Sequence, residues 1–408
     1  MDVPSPPELL RRLHALPAAT ELLELLGEDP RVHLVGGAVR DLLLGREPHE
    51  LDLVVEGDAA AVARRLGASP RIHPRFGTAT VALRETTVDL AGSRRERYPH
   101  PGALPEVEPA PLPEDLRRRD FTINAIALVL GGEGAGGLVA VPHALGDLAG
   151  GVLRVLHERS FRDDPTRLLR LVRYASRLGF SPDSGTAALA RAAAGDGALV
   201  SVSGARIGAE LRLLAREADP VAALLALHGW ELDVALDPHF GLREPAKARI
   251  ALGLLGERGR SDLLVLGLAV REVPGGQLAE LLDRWAFPGT EREVIMAVAS
   301  RAAPLAQALA SATGPGEIAA LGQSAPAELV AAAGGLGPHR QASACLRLRD
   351  VELEIGGEDL IAAGVAPGPA VGHGLRAALA AKRDGRAPGR EAELAEALRA
   401  ANERQSGH

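Results

Sequence analysis

The feature that most constrains this chain is a run near its N-terminus in which two apolar segments flank a pair of glycines. Residues 32–35 are typical of a buried strand, Gly36 and Gly37 follow, and residues 38–44 have the composition of a helix. Glycine lets the backbone approach a ligand closely, and a helix that starts at a strand end directs free N–H groups at one point. Arg40 would add a forked donor there. The run predicts either a phosphate-binding turn or an ordinary strand-to-helix turn.

Acidic residues follow on the next predicted strands. Glu50 and Asp52 lie two positions apart, so in a strand both side chains leave the same face. Two carboxylates held that close repel each other unless cations lie between them, which fits a two-metal site for phosphoryl transfer. Asp89 lies in a predicted hairpin over residues 78–90, where it would complete a catalytic carboxylate cluster. The alternatives are a solvated strand end for Glu50 and Asp52, and an edge-strand charge for Asp89.

Composition favours a cytoplasmic protein with no membrane partner. Hydrophobic residues make up 46% of the 408 residues and charged residues 24%, and no apolar run approaches the length of a membrane helix. Cys345 is the only cysteine, which excludes an intrachain disulfide and a thiolate-rich metal site. The net charge of −7 argues against nonspecific coating of nucleic acid.

Two stretches before residue 130 draw attention through their prolines and arginines. Residues 93–117 are rich in proline and predict a long loop, which in a compact domain is functional or mobile. A run of three arginines ends at Arg119, directly before Asp120. Asp120 or Thr122 is a suitable N-cap for a helix running to about residue 130, and arginines there would attract an anion or form a solvated basic turn.

A helix with an arginine stripe is predicted after residue 164. Asp164 is a suitable N-cap and Pro165 a suitable first helical residue. The stripe consists of arginines at every third position, Arg167, Arg170 and Arg173. Solvated basic faces often interleave acids for pairing, but residues 165–178 contain no acid. A basic stripe is usually a solvated face, so a solvated face and a binding site for an anion both stay open.

Beyond residue 180 the sequence predicts helices only. Leucine and alanine dominate, and the alternation typical of strands is rare. The clearest predicted helices cover residues 204–214, 221–227, 277–286, 292–310 and 371–382. The dipeptide His-Asp does not occur, so no HD phosphohydrolase extension is expected.

Taken in order, these motifs resemble the class II tRNA nucleotidyltransferases. The resemblance covers about residues 30–182 and consists of GGAVRD, an acid-x-acid strand, RRDFTINAIA, a D-D-P-x-R helix start and RLLRLVRYASRLGF. This superfamily includes CCA-adding, CC-adding and A-adding enzymes and bacterial poly(A) polymerases. The resemblance implies an enzyme that adds C and/or A from CTP and ATP to the 3′ end of tRNA, with Mg²⁺ as cofactor and pyrophosphate as product.

The same resemblance implies an α+β fold. A nucleotidyltransferase head with a polymerase β-like mixed sheet is expected at residues 1–150, and a helical neck with the nucleotide-reading helix at 151–230. A helical body and tail that bind tRNA are expected at 231–408. The all-α remainder indicated by composition agrees with this order.

The resemblance also implies roles for individual residues. Gly36, Gly37 and Arg40 would hold the triphosphate. Glu50 and Asp52 would take the places of the two metal-binding acids. Arg119, with Asp120 beside it, would contact the nucleotide near its sugar and phosphates. The base would be read by Asp164 and Arg167, with support from Arg170 and Arg173.

Two positions depart from the family pattern. Glu50 stands where aspartate is usual, and its extra methylene moves the carboxylate outward by about one bond, which active sites tolerate poorly. Asp163 stands where the base-reading motif often has glutamate. A catalytically weak RNA-binding relative is therefore an alternative, as is a poly(A) polymerase. The stretch 93–117 resembles that of partial-activity enzymes more than the usual CCA-adding loop, so C, CC, A and CCA addition all stay open.

Overall fold

The computed structural model describes residues 4–48, 50–67, 69–73, 77–84 and 86–406. The chain forms two compact units, Met1–Glu210 with Trp230–Leu236, and Leu211–Gly229 with Asp237–His408. The first unit contains every strand described and the second contains helices only. The α+β prediction is confirmed, while the division at residues 150 and 230 stays a prediction.

A seven-stranded mixed sheet forms the centre of the first unit. Its strand order is β3-β4-β5-β2-β1-β8-β9, with β2 and β5 parallel and the other neighbours antiparallel. The strands are β1 (Val32–Val35), β2 (Leu51–Val55), β3 (Arg71–His73), β4 (Thr78–Ala82), β5 (Thr87–Gly92), β6 (Arg94–Arg97), β7 (Glu106–Pro109), β8 (Ile126–Val129), β9 (Leu138–Ala140), β10 (Val152–Leu153) and β11 (Ser181–Pro182). All residues of β1 are buried, as expected for an apolar central strand.

Helices cover the sheet and continue the chain beyond it. The helices that start before residue 210 are α1 (Pro6–His14), α2 (Pro17–Leu26), α3 (Gly37–Leu43), α4 (Ala59–Leu66), α5 (Leu112–Arg117), α6 (Ala144–Gly150), α7 (Ser160–Asp163), α8 (Thr166–Leu178), α9 (Ser184–Gly195) and α10 (Gly204–Ala215). The later ones are α11 (Pro220–Gly229), α12 (Leu232–Leu236), α13 (Pro245–Leu255), α14 (Ser261–Ala269), α15 (Gly275–Arg284), α16 (Gly289–Ser311), α17 (Pro315–Gly322), α18 (Ala327–Gly335), α19 (His339–Leu348), α20 (Gly357–Ala362), α21 (Pro369–Arg383) and α22 (Arg390–Ser406). The remainder predicted to be all-α beyond residue 180 is helical in the described residues except for the two-residue strand β11.

Two sequence-based predictions in the first unit were wrong. Residues 93–117 are not a long loop, because β6 and β7 pair as an antiparallel hairpin and α5 follows. The predicted helix to residue 130 is instead a single 3₁₀ turn over Thr122–Asn124 and then β8. The sheet contact with β1 decides this, because an apolar run of this length fits a buried strand as well as a helix.

The second unit contains two helical cores. The larger joins residues of α13, α14, α16, α18 and α19, and the smaller joins α20, α21 and α22. One described helix, α16, is long and apolar enough by composition to cross a membrane. Its buried residues Val298, Ala302 and Leu309 belong to the larger core, as in a core helix of a globular protein.

Candidate functional site

A polar cavity of about 380 Å³ opens in the first unit, where the end of β1, β2, the segment before β8 and helices α8 and α10 meet. Arginines and acids dominate its wall. The lining residues are Gly36, Gly37, Asp52, Glu96, Tyr98, Pro105, Arg118, Arg119, Asp120, Asn124, Asp164, Arg167, Arg170, Tyr174 and Arg206. Eight of the predicted site residues therefore share one cavity: Gly36, Gly37, Asp52, Arg119, Asp120, Asp164, Arg167 and Arg170.

Of the three predicted carboxylates, only Asp52 lines this cavity. Asp52 on β2 stands opposite Asp89 on the parallel strand β5, and Asp89 accepts a hydrogen bond from Thr80 Oγ1 at 2.6 Å. Glu50 precedes β2, is exposed, and does not line the cavity. Asp52 and Asp89 also line an adjacent cavity of about 350 Å³, which shares Arg118 and Arg119 with the first.

The surroundings of Asp52 disfavour its charged form. Burial raises the pKa of Asp52 to about 6, with a further contribution from the negative charges of Glu50 and Asp89 and an opposing one from Arg119. Glu50 and Asp89 thus act electrostatically on Asp52. A cation placed among them would relieve this repulsion.

The residues present fit a magnesium ion that is completed by a ligand. Among the described residues, no three His, Cys, Asp or Glu side chains are placed to hold one metal ion by themselves. Mg²⁺ in phosphoryl-transfer sites is bound by one or two carboxylates together with substrate phosphates and water. Asp52 and Asp89 supply such a pair, and Glu50 lies close enough to affect the pKa of Asp52.

Arg119 is held over the glycine turn. Gly36 has φ of +69°, and a Cβ atom at this position would lie 3.0 Å from Arg119 Nη1. Arg119 Nη2 donates to the buried Asp115 carboxylate at 3.0 Å, whereas the buried Nε finds no hydrogen-bond partner among the described residues. Only glycine fits at position 36, since a side chain would be strained and would displace the guanidinium. A donor without a partner beside a polar cavity is suited to an anionic ligand.

Arg40 lies behind the cavity wall and not on it. Its side chain is buried, with Nε and Nη2 on Asp41 at 2.8 and 3.0 Å and Nη1 on Asn124 Oδ1 at 2.8 Å. Its guanidinium also lies 5.4 Å from the centre of the Tyr174 ring. The structure therefore does not bring Arg40 into the cavity, because its donors are engaged by protein groups.

Asp120 and Arg170 form an ion pair that joins the head to α8. Asp120 Oδ2 accepts from Arg170 Nε at 2.8 Å and from Nη2 at 2.5 Å, while Oδ1 accepts from Asn124 Nδ2 at 3.0 Å. Burial alone would raise the pKa of Asp120, but Arg170 and the hydrogen bonds hold it well below its usual range. Asp120 is thus a permanently charged part of the wall.

The arginine stripe of α8 finds its acids on other elements. Glu210 of α10 binds Arg170 Nη1 at 3.3 Å and Arg173 Nε at 3.2 Å. Arg173 is buried and does not line the cavity, and its guanidinium lies 4.8 Å from the centre of the Tyr174 ring. The absence of acids within the helix reflects pairing across elements, so for Arg173 it does not indicate a ligand contact.

The proposed base readers lie side by side at the start of α8. The expected N-cap was wrong by one residue, because the N-cap of α8 is Pro165 and the helix begins at Thr166. Asp164 precedes the cap, and its Oδ1 accepts from the Thr166 N–H at 3.1 Å. Arg167 is buried and donates to Ser160 Oγ at 2.6 Å and to the Arg118 carbonyl at 2.7 Å. Both side chains are fixed by the protein and line the cavity.

Several wall residues were missed by sequence reasoning. They are Glu96, Tyr98, Pro105, Asn124, Tyr174 and Arg206, whereas Arg118 belongs to the arginine run that was expected to attract an anion. The rarity of tyrosine could have indicated two of them: the chain has only two tyrosines, Tyr98 and Tyr174, and both line this cavity. Tyr98 Oη donates to Glu96 at 2.9 Å, and burial raises its pKa above the usual value. Local patterns predicted the helix at residues 204–214, but they do not reveal that this helix and the β6–β7 hairpin reach the cavity.

Comparison with known proteins places the chain among enzymes of one kind. Residues 32–154 match the family model described as the poly A polymerase head domain. A CC-adding tRNA nucleotidyltransferase of Deinococcus radiodurans is 37% identical over 366 residues, which are 87% of this chain and 85% of that protein. An A-adding tRNA nucleotidyltransferase of Halalkalibacterium halodurans is 45% identical over 226 residues, 52% of this chain and 53% of that protein.

Other A-adding relatives are matched over a smaller part. The chain spans 23% of the length of the A-adding tRNA nucleotidyltransferases of Geobacter sulfurreducens and Aquifex aeolicus, each 45% identical over the matched residues. Those matches cover 48% and 46% of this chain.

Solved structures agree over nearly the whole chain. The Thermotoga maritima CCA-adding enzyme complexed with tRNA is 27% identical with a TM-score of 0.72, covering 98% of this chain and 99% of that one. Complexes of a CCA-adding enzyme with ATP and with CTP give TM-scores of 0.73 and 0.72 at 27% and 28% identity, and each covers 99% of this chain. With the Deinococcus relative matched along most of its length, the chain belongs to the tRNA nucleotidyltransferase family.

Proposed function

We propose that this protein adds C and/or A nucleotides from CTP and ATP to the 3′ end of tRNA without a nucleic-acid template. The observation that carries the proposal is that one cavity unites Asp52 and Arg119 with Asp164 and Arg167. A carboxylate suited to a metal ion and a free guanidinium donor lie in the same space as a fixed acceptor and donor pair suited to a base. The relatives named for CC, A and CCA addition support the same activity.

The triphosphate would lie against the glycine turn. Arg119 Nη1 lies beside Gly36, the Arg119 Nε has no hydrogen-bond partner among the described residues, and Gly37 carries no side chain that would fill the space. Arg118 lies next to it, held by Glu96 at 2.7 Å and by Asp115 at 2.8 Å. Fixed arginine donors favour a phosphate ligand because the guanidinium geometry matches its oxygens. Arg40 and Arg173 would support this wall from behind.

The base would be selected by hydrogen-bond chemistry alone. Cytosine and adenine each present an amino donor beside a ring-nitrogen acceptor, so a carboxylate and a guanidinium can serve both. Guanine and uracil present a carbonyl and a ring N–H there instead. Asp164 would then face an acceptor and Arg167 a donor, leaving buried groups unpaired at a cost of about 1–3 kcal/mol each.

Asp52 and Asp89 would hold Mg²⁺, with Glu50 as a further acid at the exposed side. When bound, the metal activates the attacking hydroxyl and neutralises charge on the triphosphate. The departure from aspartate at Glu50 is tolerable in this arrangement, because Asp89 supplies a second carboxylate directly opposite Asp52.

In the proposed reaction the 3′-hydroxyl of the RNA attacks the α-phosphorus, a new phosphodiester bond forms, and the bond to pyrophosphate breaks. The chain contributes chiefly by position: Arg119 and Arg118 hold the triphosphate, and Asp164 and Arg167 hold the base. Alignment of this kind accounts for a large part of the rate in such transfers. Residues 231–408 would bind tRNA as body and tail, and we place the reaction in the cytoplasm.

Extension of defined transcripts tests this proposal. Purified protein is incubated with Mg²⁺, CTP or ATP, and tRNA transcripts ending at the discriminator base, at C or at CC, and product lengths are read on a gel. We expect extension of at least one transcript by wild-type protein, complete loss with EDTA, and loss of at least a thousandfold in Asp52→Asn. Asp58→Asn, which alters the cap of α4 outside the cavity, is the matched control and should keep activity. Extension unaffected by Asp52→Asn would refute the proposed site.

A further inference from the structure

Helix α10 binds the base-reading segment through an arginine that the sequence did not single out. Arg206 Nη2 donates to Asp164 Oδ1 at 2.6 Å, and Nη1 donates to the Gly102 carbonyl at 3.2 Å. Its side chain is 24% exposed and lines the cavity. Arg206 therefore connects α10, the start of α8 and the segment between β6 and β7.

The two oxygens of Asp164 have different surroundings. Oδ1 accepts from Arg206 Nη2 at 2.6 Å, from Thr166 Oγ1 at 2.6 Å and from the Thr166 N–H at 3.1 Å. Within the part of the chain that the structure describes, these donors all bind Oδ1, and Oδ2 accepts no hydrogen bond. A carboxylate with one oxygen fully engaged cannot rotate without breaking those bonds, and the bond to arginine is charge-assisted. Oδ2 is the acceptor left for a ligand.

The far end of Arg206 is fixed as well. Gly102 has φ of +72°, and a Cβ atom there would overlap Ser201, so the position excludes any side chain. Its N–H donates to the Asp163 carbonyl at 3.3 Å. The carbonyl that receives Arg206 is thereby held close to the residue before Asp164. The guanidinium is oriented from both ends.

We propose that Arg206 is a positioning residue for base selection, which presents Asp164 Oδ2 to the nucleotide as a hydrogen-bond acceptor of fixed direction. This inference rests on the proposed function. With Oδ2 fixed, the amino group of cytosine or adenine can donate a hydrogen bond to it. The carbonyl oxygen of uracil or guanine is itself an acceptor and cannot bond to Oδ2. Without Arg206, Asp164 keeps only its bonds to Thr166 and can turn away, so the penalty against the wrong base falls.

The test compares nucleotide selectivity and not activity alone. Values of kcat/KM for CTP and UTP, and for ATP and GTP, are measured on a transcript that the wild-type protein extends. In Arg206→Ala we expect the ratio of correct to incorrect nucleotide to fall at least tenfold, mainly through a rise in KM for the correct one. Arg206→Lys, which keeps one charged donor, should recover part of the ratio. Thr166→Val removes the Thr166 Oγ1 bond to Asp164 Oδ1 together with the 3.4 Å bond from Arg206 Nη2 to Thr166 Oγ1, and it should also lower the ratio.

The control is Arg191→Ala, which removes a guanidinium that lies 4.8 Å from the centre of the Trp230 ring and does not line the cavity. Its selectivity should equal that of wild type. A parallel loss for correct and incorrect nucleotides in Arg206→Ala and Thr166→Val, with unchanged ratios, would overturn the positioning role. Failure of the wild-type protein to extend any transcript would instead refute the proposed function.

Discussion

At the scale of single residues, the buried carboxylate of Asp52, which we propose as a metal ligand, lowers the stability of the fold when it is charged. Its pKa of about 6 in the folded protein lies above the ordinary value of 3.8. A carboxyl with a raised pKa stabilises the fold fully below its unfolded pKa, and that contribution is lost as the pH rises through the folded value. At neutral pH the fold therefore contains a charge that its surroundings disfavour.

Asp52→Asn should separate stability from activity. Because the charge is removed, we expect the free energy of unfolding at pH 7.5 to rise on the order of 1 kcal/mol, while nucleotide addition is lost. The gain should shrink as the pH is lowered from 7 to 4, where wild-type Asp52 becomes neutral. Thermal melts of both proteins across that range measure it. A variant less stable than wild type at pH 7.5 would show that the carboxylate is stabilised by its surroundings.

Replacing Arg40 and replacing Arg119 should have opposite effects on stability and on nucleotide binding. Arg40→Ala would leave Asp41 and Asn124 without their buried partner, at a cost of roughly 3 kcal/mol, but should weaken nucleoside triphosphate binding less than about tenfold. Arg119→Ala should weaken binding more than about tenfold with a smaller effect on stability. Calorimetric titration with CTP or ATP and thermal melts distinguish them. Strong loss of affinity in Arg40→Ala without loss of stability would return Arg40 to the direct role expected from the sequence.

At the scale of elements, the pairing of α8 with α10 holds the nucleotide wall. Glu210 is buried and is shared between Arg170 and Arg173. In Glu210→Gln the negative charge between two guanidinium groups is lost, so we expect a loss of roughly 3 kcal/mol in unfolding free energy. Chemical denaturation provides the measurement.

A matched surface pair controls for the loss of charge alone. Asp219 and Arg249 form an ion pair at 3.1 Å with side chains 48% and 53% exposed, so Asp219→Asn should change stability by less than about 1 kcal/mol. If the two variants were equally stable, α10 would not be holding α8 through Glu210.

Sequence reasoning succeeded where a signal was local. Apolar periodicity correctly indicated β1, β2 and the hairpin β4–β5, and the order of motifs pointed to the fold class before any contact was known. It failed for β8, whose identity depends on β1 more than ninety residues earlier, and for the hairpin β6–β7 within a proline-rich stretch. Pairing between distant segments is a tertiary effect that local composition does not encode.

The same limit applies to the site. Spacing on β2 and α8 identified Asp52, Asp164 and Arg167, which line the cavity. It gave Arg40 and Arg173 contact roles, although both are buried behind the wall by partners from other elements. Arg206 was overlooked because its meaning comes from Asp164, forty-two positions away. The role of each arginine depends on which acid it contacts in the folded protein, and that acid cannot be identified from the sequence.

At the scale of the whole molecule, the two units differ in their secondary structure. The first holds the sheet and the complete cavity, so all groups proposed to select and join a nucleotide lie within Met1–Glu210. The second consists of helices around two apolar cores. The net charge of −7 means that RNA binding must depend on where arginines stand and not on overall charge.

The central claim is that the protein alone chooses which nucleotides it adds. The most direct measurement supplies a tRNA transcript lacking its 3′ CCA together with all four nucleoside triphosphates and Mg²⁺, and sequences the 3′ ends of the products. We predict ends that carry only C, only A, or C followed by A, and no U or G above background, with no extension of an unstructured RNA. Incorporation of U or G at rates similar to C and A, or a ladder of A on the unstructured RNA, would contradict it.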